Sequence, residues 1–420
     1  MKILVTGDIH MGRTSSRLGA ATRTAGDAFS AKAVWERVVD TAIDQEVGAV
    51  CLTGDIIDNK HAFWETTGAF REGVERLAAA GIRTLAVAGN HDWDVFPRLA
   101  ADLESEWFCM VGRGGAWQRE TVLDRDGRPA VHIDGWSFPS RTVTIDPVST
   151  YDMEPDPQVP TLGMVHGDLE VRDSRYAPLS RSRLAGMPVA GWLLGHIHAP
   201  LCEAGPPLIL YPGSPQALDP GETGPHGAWI IDIANGRVEK PRLVPLSSVV
   251  YVAPEYDVST WTDFLIDAQD ALIRTAQSLA DDYPMAEVAS LRPIFQGRTR
   301  LKHVIPDEMA DLSSFRDSVN GIEVVIDRAQ DRTRPDLDLE GLAERPGAPG
   351  ELARLVLALD AFTTTNPGAD EAPPAIAALL RRARRAAAGV SDIDVSRVPD
   401  EELVDTMRET SLDILDRLMS

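Results

Sequence analysis

The chain has 420 residues, more than one ordinary hydrophobic core accommodates, so we predict two or three domains. Its formal net charge of −23 excludes a broad electrostatic attraction to nucleic acid, and any such contact would need local basic patches or a partner. The chain shows no signal-peptide pattern, no apolar stretch long enough to span a membrane, and only three scattered cysteines, which together favour a reduced, cytoplasmic setting without membrane contact.

Strand-like and helical runs alternate over roughly the first 250 residues. Apolar residues at helical spacing predict an amphipathic helix over 29–46 and a second over 63–80, which Gly81 ends. Later strands follow at closer spacing, at 131–133, 208–211 and 228–233. Because helices dominate early and strands dominate late, we predict an α/β fold with two packed sheets flanked by helices.

The composition of the chain changes after about Val250. A predicted helix over 260–280 and strand-like runs over 291–304 and 321–326 indicate a small α+β domain. Prolines, glycines and many charges between 331 and 350 predict a linker. Three further helices are predicted over 351–363, 375–388 and 399–418, which makes 351–420 a helical region.

Five short motifs, each of which follows a strand-like run, carry side chains that bind metal ions. They are Asp8-Ile9-His10, Gly54-Asp55, Gly89-Asn90-His91-Asp92, His166-Gly167 and Gly195-His196-Ile197-His198. Asp-x-His at a strand end places both side chains on one face, because strand side chains alternate with period two. Asp55 is placed to bridge two ions, and Asn90 and His166 add amide and imidazole ligands. Such ligands without thiolate suit Mn²⁺, Fe or Zn²⁺.

Two such ions about 3.5–4 Å apart activate a water and neutralise charge on a phosphoester. His91 follows a ligand directly and is predicted to donate a proton to the leaving oxygen or to stabilise the transition state. Asp58 and Asp92 could orient the ligands or His91 as a supporting shell, although helix capping is an equal alternative. His61 and His226 are candidates for contact with the substrate.

The five motifs, in this order, resemble the calcineurin-like metallophosphoesterase superfamily over about residues 1–233. The resemblance implies a β-sandwich metallophosphoesterase core between helices, with His91 as the catalytic histidine. It implies that Asp8, His10, Asp55 and His198 hold one metal ion. It also implies that Asp55, Asn90, His166 and His196 hold the other.

Within that superfamily, the segments 191–198, 211–216 and 222–227 are similar to DNA repair exonucleases of the SbcD and YhaO type. The segment 291–299 is similar to the start of their small capping domain. This resemblance implies a homodimer, Mn²⁺-dependent DNA nuclease activity and an SMC-like ATPase partner with long coiled coils. Residues after about 350 resemble nothing that we can name.

We therefore predict a metallophosphoesterase (nuclease) domain at 1–250, a small α+β capping domain at 251–330, a linker at 331–350 and a helical region at 351–420. The helical region is a candidate partner-docking segment, and a simple helical cap on the same chain is the alternative. The leading hypothesis is a two-metal phosphodiesterase, binding Mn²⁺ with Fe or Zn²⁺ as alternatives, that cuts DNA within a repair complex. One alternative is hydrolysis of a small phosphoester or nucleotide. Another is a dimeric scaffold whose main task is to dock an ATPase.

Overall fold

The computed structural model describes residues 1–18, 28–58, 64–365, 374–387 and 398–419. The chain forms two compact units. The first unit comprises Met1–Pro254, Ala268–Ile294 and Ala310–Gln330, and the second comprises Glu255–Asp267, Phe295–Met309 and Asp331–Ser420. The predicted mixed α/β fold class is confirmed, since several sheets and helices alternate along the chain. None of the helices in the described ranges is long and apolar enough to cross a membrane.

The first unit contains a seven-stranded sheet built around the N-terminal strand Lys2–Thr6. Its strands lie in the order Arg237–Val238, Gly227–Ala234, Lys2–Thr6, Ala49–Leu52, Arg83–Ala86 and Phe108–Met110, with Arg242–Pro245 also paired to Gly227–Ala234. The strands from Lys2–Thr6 to Phe108–Met110 are mutually parallel, so their carboxyl ends lie at one edge. The strands are apolar on both faces, as expected of a sheet that is covered on both sides.

A six-stranded sheet in the same unit packs face to face on the first. Its order is Gln118–Leu123, Pro129–Trp136, Thr161–His166, Gly191–Gly195, Leu208–Tyr211 and Leu201–Glu203. Side chains of both sheets, such as Val5, Leu85, Ile133 and Met164, share one buried cluster. The core is therefore a β-sandwich, held together by burial of apolar surface between the sheets.

Three helices cover the outer face of the seven-stranded sheet: Ala31–Asp44, Trp64–Ala79 and Phe96–Leu103. The first begins where the side chain of Ser30 accepts a hydrogen bond from the amide of Ala33, a usual way to cap a helix. Its buried stripe, which includes Trp35 and Val38, joins the outward side chains of the strands in one cluster. The ends predicted from the sequence for the first two of these helices lie within two residues of the observed ends.

The first unit also contains a four-stranded sheet, in the order Val249–Val252, Val288–Leu291, Ile322–Ile326 and Arg316–Val319. The described chain has further helices at Arg181–Ala185, Phe264–Asp282 and Ile305–Leu312.

The second unit combines a three-stranded sheet with the C-terminal helices. The strands are Glu255–Asp257, Ile294–Thr299 and Gln330–Pro335, and the helices are Leu339–Ala343, Ala348–Thr365, Pro374–Ala387 and Asp400–Met419. Leu359, Leu380 and Val404, one from each of the last three helices, share a buried cluster. Arg298 on the sheet donates two hydrogen bonds of 2.8 Å to Asp416 on the last helix. These helices therefore bury many of their apolar residues within their own unit, whereas Ile414, Leu418 and Met419 are exposed.

The segment 331–350 is not the irregular linker that its composition suggests. It holds most of the strand Gln330–Pro335, the helix Leu339–Ala343 and the start of the helix Ala348–Thr365. Pro349 lies in the first turn of that helix, where its missing N–H breaks no helical hydrogen bond. Proline thus marks the edges of elements here, and the predicted domain boundaries stay a prediction.

Two glycines of the helix Trp64–Ala79 provide a test of how tightly it packs. A methyl group on Gly73 would fall 2.2 Å from Nε1 of the fully buried Trp35, whereas one on Gly68 meets nothing within 4 Å. We expect Gly73→Ala to lower the free energy of unfolding by roughly 1–3 kcal/mol through overpacking. We expect Gly68→Ala to raise it by roughly 0.5–1 kcal/mol through helix propensity. Urea unfolding of both variants measures the difference, and equal effects would contradict the described packing.

Candidate metal centre

The five motifs lie at the carboxyl ends of parallel strands from both sheets. Lys2–Thr6, Ala49–Leu52 and Arg83–Ala86 are parallel neighbours in the first sheet, and each leads into one motif. Thr161–His166 and Gly191–Gly195 are parallel neighbours in the second sheet and lead into the other two. Parallel strands that end at a common edge bring the residues after them together, which is where α/β proteins form binding sites.

One group of donor atoms is formed by Asp8, His10 and His198, whose ligand atoms lie within 4.8 Å of one another. Nε2 of His10 lies 3.1 Å from Nε2 of His198. Two ligands that bind one ion at about 2.1 Å and at right angles are about 3.0 Å apart, so this spacing fits a shared cation. Asp8 and His10 are buried, while His198 is partly exposed.

A second group is formed by Asp55, Asn90, His166 and His196. Oδ1 of Asn90 lies 3.0 Å from Nε2 of His166 and 3.0 Å from Nδ1 of His196. Oδ2 of Asp55 lies 3.4 Å from Nε2 of His166 and 3.9 Å from Nε2 of His10. This one oxygen therefore borders both groups, as a bridging ligand between two ions would.

Three of the four histidines in the donor groups have an acceptor near the outward ring nitrogen, whereas the buried Nδ1 of His10 has no hydrogen-bond partner among the described residues. Nδ1 of His166 lies 3.1 Å from the carbonyl oxygen of Thr53, and Nδ1 of His198 lies 2.7 Å from Oε1 of Glu222. Nε2 of His196 lies 3.3 Å from Oδ1 of Asp168. If these acceptors take the imidazole protons, the inward nitrogens carry lone pairs that face one another and face oxygen acceptors. A cation satisfies such a cluster and matches its nitrogen and oxygen donors.

Burial sets the electrostatics of the carboxylates at the site. Burial raises the pKa of Asp8 to about 6. Burial also acts to raise the pKa of Asp55, but the adjacent His166 outweighs it and the pKa is lowered. The pKa values of the two carboxyl groups are therefore shifted in opposite directions, and Asp55 is the stronger acid of the two.

Among the histidines, burial lowers the pKa of His10 to about 3 and that of His196 to about 4. Burial opposes the charged form of His166 as well, yet Asp55 raises its pKa to about 9. A proton on His166 thus balances Asp55 in the ion-free protein. A metal ion would replace that proton, because ligating imidazole must be neutral.

The backbone at the motifs adopts conformations that residues other than glycine rarely adopt. Asp8, His10 and Asp55 have φ angles of 49°, 50° and 49°, in the left-handed region. A methyl group on Gly89 would fall 2.2 Å from Oδ1 of Asp55, so glycine is required by close approach. Strained residues of this kind cluster at functional sites, where the surrounding structure holds them in place.

His91 and the two predicted supporting carboxylates lie beside the donor groups. The exposed ring of His91 lies edge-on to that of His10, with ring centres 4.9 Å apart, and its amide donates to Oδ1 of Asp55 at 2.8 Å. Asp92 is buried and accepts from the amides of Gly89 at 2.8 Å and Ile56 at 2.7 Å. It therefore joins two of the motif loops. Asp58 is buried and lies within 4.8 Å of ligand atoms of both His10 and His91.

The two predicted substrate contacts have different outcomes. His226 is only 1% exposed, and its Nδ1 lies 2.8 Å from the carbonyl oxygen of Ser214. This position fits support of the surrounding loop and does not fit the contact with substrate that we predicted. Pro225 and Gly227 flank His226, but local composition does not show whether such a loop folds inward. His61 lies outside the described residues.

Sequence reasoning gave no role to Asp168 and Glu222, the carboxylates that face His196 and His198. Asp168 follows the motif His166-Gly167 directly, which is the one local signal that could have identified it. Glu222 lies 24 positions after His198, and nothing in that spacing indicates a contact. Both are found only when the fold brings their loops to the site.

Comparison with known proteins supports this description. Residues 1–200 match the family described as calcineurin-like phosphoesterases. The uncharacterized metallophosphoesterase YhaO of Bacillus subtilis (strain 168) is 27% identical over 210 residues, which cover 48% of this chain and 49% of that protein. The chain thus matches about half the length of this curated relative. Residues 1–200 are therefore similar in sequence to calcineurin-like phosphoesterases.

Solved structures show similarity at low TM-scores. The protein TT1561 of Thermus thermophilus has a TM-score of 0.34 and 14% identity, over 58% of this chain and 98% of that chain. A dimetal phosphatase from Danio rerio has a TM-score of 0.36 and 12% identity, over 59% of this chain and 99% of that chain. The calcineurin-like phosphoesterase YfkN from Bacillus subtilis has a TM-score of 0.33 and 11% identity, over 59% of this chain and 90% of that chain.

Because Asp55 borders both donor groups, we can predict how its substitution changes metal binding. We expect Mn²⁺ to raise the unfolding midpoint of protein stripped of metal, because an ion that binds only the folded state stabilises it. Asp55→Ala should remove the shift altogether, whereas Asp44→Ala, at the end of the helix Ala31–Asp44, should leave it unchanged. Thermal unfolding with and without Mn²⁺ measures both. A full shift in Asp55→Ala would show that this carboxylate is not a ligand.

Proposed function

We propose that this chain, which carries a calcineurin-like phosphoesterase match over its N-terminal half, is a Mn²⁺-dependent two-metal phosphodiesterase that cuts DNA as the nuclease subunit of a repair complex. The observation that carries the two-metal part is the pair of donor groups that share Oδ2 of Asp55. Two bound divalent ions would polarise the phosphoester and activate water for attack. Fe or Zn²⁺ would suit the same nitrogen and oxygen ligands.

The residues around the donor groups support hydrolysis and not metal storage. His91 is exposed, so a substrate can reach its ring, while its amide hydrogen bond to Asp55 fixes its backbone. An imidazole so placed can hold the proton that the leaving oxygen requires. Arg13 adds a positive charge near His10 and His198, which favours an anionic substrate in an otherwise acidic chain.

His91 provides the sharpest test of the chemistry. We expect His91→Ala to keep its metal content but to lose about 10²–10⁴-fold in rate on a model phosphodiester, the range for loss of a general acid. His303→Ala, which changes an exposed histidine of the second unit, should keep full activity. Metal content by elemental analysis and turnover of bis-p-nitrophenyl phosphate measure the two quantities. Loss of metal in His91→Ala would make His91 a ligand and not the acid.

DNA as the substrate is supported by the sequence similarity at 191–198, 211–216 and 222–227 to SbcD- and YhaO-type exonucleases. The net charge of −23 weighs against tight DNA binding by the chain alone, since such binding rests on Lys and Arg. We therefore propose that a partner contributes affinity, and that hydrolysis of a small phosphoester or nucleotide is the competing function.

A comparison of substrates separates these two functions. With Mn²⁺, we expect degradation of linear duplex DNA at low salt, with slow turnover of nucleoside monophosphates and of p-nitrophenyl phosphate. Salt should weaken the DNA reaction more steeply than the small-molecule reaction, because counterion release accompanies DNA binding. Asp55→Ala is the control for a contaminating nuclease. Rapid monoester turnover with intact DNA would favour the competing function.

The proposed assembly is a homodimer bound to an SMC-like coiled-coil ATPase. The last helix leaves Ile414, Leu418 and Met419 at 42%, 50% and 45% exposure, although its other apolar residues pack in the second unit. Residues 414 and 418 lie one turn apart, so they form an apolar strip of the kind that docks into grooves. Ile414→Glu with Leu418→Glu should abolish co-purification of the ATPase, and Glu409→Ala should not. Unchanged co-purification would remove this helix from the docking surface.

A further inference from the structure

Each histidine of Gly195-His196-Ile197-His198 has a carboxylate at the ring nitrogen that faces away from the donor groups. Oδ1 of Asp168 lies 3.3 Å from Nε2 of His196, and Oε1 of Glu222 lies 2.7 Å from Nδ1 of His198. The inward atoms are therefore Nδ1 of His196, beside Asn90, and Nε2 of His198, beside His10. Two histidines separated by one residue thus use opposite nitrogens.

A carboxylate at one ring nitrogen selects the imidazole tautomer, because the proton stays where an acceptor holds it. Asp168 favours the proton on Nε2 of His196, and Glu222 favours it on Nδ1 of His198. In each ring the other nitrogen is then free to bind a cation. The wrong tautomer would present an N–H to the ion and could not ligate it.

Both carboxylates are themselves held in place. The free oxygen of Glu222 accepts from Oγ of Ser214 at 3.1 Å and from the amide of Leu218 at 2.8 Å. The free oxygen of Asp168 accepts from Oγ of Ser174. The side chains of Asp168 and Glu222 are each only 13% exposed. Such supports are expected of groups that orient another side chain.

The loop after Asp168 holds His196 a second time. The amide of Asp168 donates to the carbonyl oxygen of Tyr176 at 2.9 Å, and the ring of Tyr176 lies with its centre 4.9 Å from that of His196. Glu222 and its supports belong to a separate loop that follows the strand Leu208–Tyr211. The two histidines are therefore oriented by different parts of the chain.

We propose that Glu222 and Asp168 are positioning residues that set the affinities of the two metal positions separately. Glu222 acts through His198 on the position with Asp8 and His10, and Asp168 acts through His196 on the position with Asn90 and His166. The inference rests on the proposed two-metal function and assigns a supporting residue to each ion. Loss of a carboxylate that orients a metal-bound histidine costs about 10–100-fold in affinity.

Mn²⁺ titration of the full metal-free chain by calorimetry tests the proposal, with electron paramagnetic resonance to distinguish paired from single ions. We expect Glu222→Gln and Asp168→Asn each to lower the affinity for one of the two ions by about 10–100-fold. The affinity for the other ion should stay within about threefold of the wild-type value. The matched controls are Asp173→Asn and Glu239→Gln, both exposed, which should change neither. Unchanged affinities in Glu222→Gln and Asp168→Asn would overturn the proposal.

A second background identifies which ion each carboxylate serves. In His198→Ala, which removes a ligand of the first position, Glu222→Gln should have no effect on the ion that remains. Asp168→Asn should still lower the affinity for that ion by about 10–100-fold. An equal loss from both substitutions would show a general structural effect and refute the separate roles.

The milder variants Ser214→Ala and Ser174→Ala keep both carboxylates, and each removes one hydrogen bond to a carboxylate. They replace the carboxylate variants in the titration if those variants do not fold. Each should lower the affinity for the same ion as the corresponding carboxylate variant does, but by a smaller factor. Equal weakening of both ions would overturn the proposal. A wild-type chain that binds fewer than two Mn²⁺ ions would instead refute the two-metal function, and this inference would fall with it.

Discussion

The organisation of the first unit depends on one constraint, which is that buried nitrogen and oxygen acceptors face one another around Asp55. Buried polar groups of this kind are costly unless a partner satisfies them. In the ion-free protein a proton on His166 offsets the charge of Asp55. The left-handed backbone of Asp8, His10 and Asp55, the close approach of Gly89 and the hydrogen bonds of Asp92 all serve to keep these acceptors together.

That constraint also explains why the donor side chains come from two sheets. Each sheet delivers residues at the carboxyl ends of parallel strands, and the apolar faces between the sheets fix the distance that separates them. A rigid sandwich can hold strained loops that a mobile scaffold would release. The chemistry therefore resides in loops, while the precision comes from the packing of Val5, Leu85, Ile133 and Met164 beneath them.

The elements that could be predicted from the sequence are those with a local cause. The helix Ala31–Asp44 follows from the spacing of its apolar residues, and the grouping of donor side chains follows from residue types at strand ends. The segment 331–350 was misread because proline content does not show whether a proline lies inside an element or at its edge. The burial of His226 was not predicted, because burial depends on the fold and not on the neighbouring residues in sequence.

The supporting carboxylates lie beyond local reasoning for a related reason. Asp168 and Glu222 reach the histidines through loops whose paths are fixed by tertiary contacts, such as the bonds to Ser174 and Leu218. A pattern in sequence can state which side chains bind a metal ion, but it does not state which side chains orient them. That second set becomes visible only in three dimensions.

The facing nitrogens of His10 and His198 have a mechanical consequence. They are 188 positions apart along the chain, so a cation held by both would join the loop after the strand Lys2–Thr6 of one sheet to the loop after the strand Gly191–Gly195 of the other. Because the ion binds only the folded state, it would stabilise the contact between these two loops for as long as it is bound. The bound ion would then act as a removable cross-link between the two sheets. A chelator that extracts it would loosen the edge of the sandwich before it unfolds the core.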